Sequence, residues 1–125
     1  NMTRLILLPI FFLVIFVGCK KNQLDGNATI EGTVRHHAKL IGNATVFIKF
    51  KAKEFPGADT NLYDAKVRAD INGNYTVKCY KGDYYLFAYG FDPAIQSPYI
   101  VIGGSPVHIR NREKVTIDLA VTEGD

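Results

Sequence analysis

The stretch Ala69–Asp92, "ADINGNYTVKCYKGDYYLFAYGFD", decides the fold. Asn72-Gly73 is the dipeptide best suited to positive φ in a tight hairpin, and it feeds "NYTVKCY", in which Tyr75, Val77 and Cys79 fall on one face. A second short turn at Lys81-Gly82 leads at once into "DYYLFAYGFD". Two strands of period two joined by short glycine turns predict an antiparallel sheet.

The same period runs outward in both directions. Upstream, "ATIEGTVR" places Ile30, Gly32 and Val34 on one face, "NATVFIKFK" sends Ala44, Val46, Ile48 and Phe50 inward, and "AKVRAD" does so with Ala65, Val67 and Ala69. Downstream, a loop with Pro93 and Pro98 precedes "YIVIGG", "PVHIR" and "KVTIDLAVT", the last with Val115, Ile117, Leu119 and Val121 on one side. No helical stripe of useful length interrupts the pattern. Seven or eight short strands with turns this close predict an all-β antiparallel sandwich over residues 28–125.

The first residues read differently. Asn1 stands before Met2 and is set aside; Arg4 then precedes the apolar run Leu5–Val17, 13 residues long and containing Pro9. A membrane-spanning helix needs about 20 apolar residues, so this run reads as a secretory signal over residues 1–18. Phe16-Val17-Gly18-Cys19 resembles the bacterial lipobox, which implies cleavage before Cys19 and acylation of its thiol. Acyl chains hold a soluble domain at a bilayer through about 0.8 kcal/mol per buried CH₂. The other reading is an ordinary cleaved signal that leaves Cys19 a thiol. Lys20–Asn27, "KKNQLDGN", carries one apolar residue and reads as a tether, so residues 19–27 link lipid to domain.

Of 15 basic and 12 acidic side chains only Arg4 lies in the signal, so 14 face 12 in the remainder. That balance argues against a nucleic-acid partner. Of the two cysteines, an acylated Cys19 leaves Cys79 without a disulfide partner, and Cys79 is expected to pack as a small hydrophobe.

"IEGTV", "IGNATVFIKF", "ADINGNYTV", "KGDYYLFAYGFD" and "VTIDLAVTE" together resemble the carboxypeptidase regulatory-like domain, a sandwich similar in fold to transthyretin (prealbumin). The pairs Gly73-x-Tyr75 and Gly82-x-Tyr84-x-Leu86 carry the resemblance. It implies that Tyr84, Leu86 and Ala88 point inward, leaving Tyr85, Phe87, Tyr89 and Phe91 on the opposite face as a partner or ligand surface. Four outward rings are not ordinary solvent surface. Either a loop of this chain covers them, from "EFPGADTNLY" or from Pro93 to Tyr99, or a partner does. Small lipoproteins of this kind are typical of Bacteroidota-type outer membranes, where they accompany nutrient importers or carry no assigned role, which implies an outer-membrane anchor facing either the periplasm or the cell surface.

Several chemical motifs are weighed against blander readings. Asp70 to Asn74 offers oxygens at alternate positions but lacks the length and distal acid of a calcium loop. His36, His37 and His108 show no ligand spacing and read as exposed loop imidazoles. Asn27, Asn43 and Asn74 each begin an Asn-x-Thr triplet, read as turn residues feeding strands. No catalytic residues, metal or cofactor are expected. The functional expectation is a non-catalytic envelope module that binds a neighbouring protein; the alternative is a glycan or small-ligand binder that uses exposed rings such as Tyr85 and Tyr89.

Overall fold

The computed structural model describes residues 20–123, so the expected signal over residues 1–18 and the lipidation at Cys19 lie outside the described residues. The described chain forms β1 (Leu24–His36), β2 (Lys39–Leu40), β3 (Thr45–Phe50), β4 (Ala65–Arg68), β5 (Asn74–Cys79), β6 (Gly82–Phe91), β7 (Ile100–Ile109), β8 (Lys114–Thr116) and β9 (Leu119–Ala120). One sheet has the order β4-β3-β6-β7, antiparallel throughout. The other is built around β1, which pairs with β5 and β2 antiparallel and with β8 and β9 parallel. The two sheets close over one apolar core, and the all-β sandwich is as expected.

The alternation read from the sequence places that core well. Ile30, Val34, Val46, Ile48, Val77, Leu86, Val101 and Leu119 are buried between the sheets, and Cys79 is buried among them as a free thiol. Burial pushes its pKa up. Tyr75 and Tyr84 also point inward and satisfy their hydroxyls at the margins, Tyr75 donating to the Ile117 carbonyl at 2.7 Å and Tyr84 to the Tyr80 carbonyl at 2.6 Å.

Three expectations are corrected by non-local geometry. Asn72-Gly73 is a turn, with Gly73 at φ +80 and its N–H donating to the Asp70 carbonyl at 3.0 Å, but it is not a hairpin. It carries the chain from β4 in one sheet to β5 in the other, and Lys81-Gly82 carries it back to β6. The sandwich is also not wholly antiparallel. β7 descends to the end where β1 starts, so the returning chain must run in β1's direction, beginning with the Thr29 N–H to Glu113 carbonyl bond at 2.9 Å. Finally, β1 begins at Leu24 rather than Ala28. Leu24 and Ala28 both face Cys79 across a bulge with Asp25 at φ +68, so backbone pairing recruits a polar segment that hydrophobic periodicity cannot reveal.

Two strand boundaries differ as well. "YIVIGG" and "PVHIR" form a single strand, with Pro106 on an edge strand where proline is tolerated. The last expected strand is split into β8 and β9, because the Asp118 carboxylate takes the Thr33 N–H at 3.0 Å and the Thr33 hydroxyl at 2.8 Å, in place of a ladder bond.

Candidate functional site

The outer face of the β4-β3-β6-β7 sheet carries the rings singled out in the sequence. Because side chains alternate across a strand, β6 sends Tyr84, Leu86 and Ala88 into the core and Tyr85, Phe87, Tyr89 and Phe91 out. The 51–64 connection between β3 and β4 then lies across this face as a strap. The Phe55 ring sits 5.7 Å from that of Tyr85 and 5.5 Å from that of Phe87, and Tyr63 stacks on Phe87 at 5.6 Å. Tyr85 and Phe87 are consequently 8 % and 1 % exposed. These two are therefore not an open surface, and the cover comes from the chain's own "EFPGADTNLY" segment rather than from the loop at Pro93 to Tyr99.

Local hydrogen bonds hold the strap. The Tyr63 hydroxyl donates to the Gly57 carbonyl at 2.9 Å, Asp59 accepts the Asn61 N–H at 3.0 Å and so starts a short 3-10 turn over Thr60–Leu62, and Asp64 accepts the Phe50 N–H at 2.7 Å. Burial, with a contribution from the neighbouring Tyr85, pushes the Tyr63 phenol up to about 12. It is a neutral hydrogen-bonding group, not an acid or base for neutral-pH chemistry.

The strap covers only part of the face. Tyr89 is half-buried, and Phe91, edge-on to it at 5.9 Å, is 60 % exposed. On the Tyr89 side an open groove of about 450 Å³ is lined by Thr45, Phe47, Ala58, Asp59, Thr60 and Tyr89. On the other side a smaller one, of about 340 Å³, runs between Phe55 and the glycine pair Gly103 and Gly104. A Cβ on Gly104 would meet the Leu86 carbonyl oxygen at 2.3 Å, so this floor is bare backbone.

One polar cluster escaped the sequence reading. His36, expected to be an exposed loop imidazole, closes β1 at 8 % exposure with Nδ1 2.8 Å from Asp92 Oδ2. The other Asp92 oxygen accepts from Lys39 Nζ at 2.7 Å and from the Ala94 N–H at 3.0 Å. The Lys39 ammonium, then His36 and the Ala94 N–H, hold the Asp92 carboxyl well below the usual carboxylate range. Asp92 lies one place beyond the outward Phe91, so alternation puts it inside, where a carboxylate needs partners. That much was legible; the partners, 56 positions away in the case of His36, were not.

The other imidazoles stay at the surface: His37 beside His36, and His108 2.9 Å from Asp83 Oδ1. No three His, Cys, Asp or Glu side chains converge on a metal position among the described residues. Asp70 Oδ1 is engaged by the N–H groups of Asn72 and Asn74 at 2.9 and 3.0 Å, as a turn residue.

No protein-family model matches this chain, and no curated protein does. Among solved structures it is similar to a Pseudomonas aeruginosa protein described as a "putative carbohydrate binding protein", at 12% identity and TM-score 0.54, covering 84% of this chain and 93% of that one. A DUF3823 family protein from Parabacteroides merdae aligns at 15% identity and TM-score 0.49 over 78% of this chain, which spans 47% of that protein's length. What the chain shares with the Pseudomonas protein is the β-sandwich fold.

Proposed function

We propose that the chain is a non-catalytic, lipid-anchored module of the bacterial envelope, of carboxypeptidase regulatory-like type, that binds a neighbouring envelope protein such as an outer-membrane importer. Cys19 is its anchor in the outer membrane, and Tyr89 and Phe91 are the centre of its contact surface. The observation that carries this reading is the incomplete strap: the chain buries Tyr85 and Phe87 with its own aromatics yet leaves Phe91 60 % exposed, with Phe55 standing 53 % exposed on the strap itself. Exposed rings beside a rigid sheet are the usual anchors of protein contacts. Crosslinking in intact membranes followed by detergent extraction should recover a stoichiometric partner with the native chain and lose it with Tyr89→Ser combined with Phe91→Ser. Equal recovery with that variant, or no partner at all, overturns the reading.

A second reading is favoured by the groove at Tyr89. It sets a partly exposed ring beside the Thr45 and Thr60 hydroxyls and the Asp59 carboxylate, a combination suited to stacking and hydrogen bonding of a sugar. The fold shared with the Pseudomonas protein supports the same direction. Here the ring in question is Tyr89 and not the covered Tyr85. Saturation-transfer NMR with mixed oligosaccharides should show contacts that disappear in Tyr89→Ala, and an empty spectrum removes this option.

A further inference from the structure

The charged loops are sorted between the two ends of the sandwich. At the end where the described chain begins, the turns carry Lys51, Lys53, Lys81, Arg110 and Arg112, all exposed, together with Lys20 and Lys21. The acids there are fewer and partly engaged: Asp83 pairs with His108 at 2.9 Å, Asp64 pairs with Lys49 at 3.5 Å, Glu113 accepts the Arg110 N–H at 2.9 Å, and Asp25 and Glu54 stand free of any ion pair. At the opposite end stand Asp70, Asp92 and Glu123, with Lys39, which is bound to Asp92, and Arg68 at the end of β4.

The leading segment is fixed to that basic end. Asn22 donates its N–H to the Lys81 carbonyl at 2.9 Å and its Oδ1 accepts the Asp83 N–H at 2.9 Å, while the Gln23 carbonyl accepts the Tyr80 N–H at 2.8 Å. Gly82 makes room for this: a Cβ there would stand 2.2 Å from Asn22 Oδ1. Lys20 reaches over the Tyr80 ring at 5.8 Å. Three residue steps separate Asn22 from Cys19, a reach of about 11 Å at full extension, comparable to a Debye length at physiological salt.

We infer that the basic end of the sandwich docks against anionic phospholipid headgroups, so that the domain stands upright on the bilayer with Tyr89 and Phe91 held away from it. This rests on the lipid-anchor reading, since the short reach matters only if Cys19 is in the membrane. The occupant is a lipid surface because the cations are spread over separate turns around the point where the chain enters, on the side from which Cys19 is reached. Each cation near an anionic bilayer adds to the attraction, and salt weakens it.

The full chain reconstituted in vesicles tests this, with a fluorophore on an introduced thiol at Asn111→Cys at the basic end or Asn72→Cys at the other, and a spin-labelled headgroup lipid as quencher. Cys79 is buried and does not react. With about one-third phosphatidylglycerol, quenching at position 111 should exceed that at position 72 about fivefold, and the difference should collapse in 0.5 M salt or in Lys51→Glu, Lys53→Glu, Lys81→Glu. Equal quenching at both positions, or the same contrast in neutral vesicles, overturns the docking. Failure of the anchor is read separately: the chain without an introduced thiol takes up label at Cys19 only if that residue is not acylated.

Discussion

Asp92 ties together segments that no local rule would join. Its carboxylate binds Lys39 from the β2 strand, His36 from the end of β1 and the Ala94 N–H of its own loop, and so fastens the 92–99 loop to the β1–β2 hairpin. The sign of its pH effect follows from the lowered pKa. A carboxyl that binds its proton less readily when folded than when unfolded contributes stability above its unfolded value of about 4, and that contribution is lost as pH falls through 4 toward the lower folded value. Asp92→Asn should therefore lower the urea midpoint at pH 7 and flatten its fall between about pH 4 and 2. Midpoints measured at pH 7, 4 and 2 decide it, and parallel curves for the two proteins would remove Asp92 from the acid response. From sequence, Asp92 was recognisable as an inward acid only by counting from the inward Tyr84; His36 was misplaced because the doublet His36-His37 reads as a loop until β1 is seen to run to His36.

The strap between β3 and β4 is the element on which the candidate site depends. Its length and its Phe55 and Tyr63 were visible in the sequence, as were the four outward rings of β6, but which rings the strap would meet was not, because that depends on how far it reaches across the sheet. Its hold is modest: two ring contacts from a half-exposed Phe55, one stacked Tyr63 and a few hydrogen bonds. Phe55→Ala should cost about 1 kcal/mol, roughly half the value of a fully buried ring. The loss should be local, with faster amide exchange over residues 52–63 and new dye binding at Tyr85 and Phe87 while the core strands keep their protection. If exchange in the strap is unchanged, the strap is held by its hydrogen bonds, and the aromatic contacts contribute little.

At the scale of the whole molecule, the strand positions were legible and the sheet assignment was not. Alternation fixes which side chains are buried, but it is indifferent to whether a turn pairs its two strands or passes them to opposite sheets, and the parallel closure of β8 and β9 on β1 is written in backbone bonds between residues about 85 positions apart. Gly32 is where that closure is tightest. It lies opposite Tyr75 on β5, and the Tyr75 hydroxyl passes over it to reach the Ile117 carbonyl on the far side of β1. A Cβ on residue 32 would stand 1.8 Å from that same carbonyl oxygen, a backbone atom that cannot move without breaking the Ile117 N–H bond to Glu31 at 2.8 Å. Gly32→Ala should therefore cost about 1–3 kcal/mol, in the range of core overpacking, and because β1 is shared by every strand of its sheet the loss should be global. Far-UV and near-UV signals should shift to the same lower urea midpoint. A variant with an unaltered midpoint would mean that the C-terminal strand does not lie against β1, and a shift seen only in the near-UV would mean that the two sheets do not unfold as one unit.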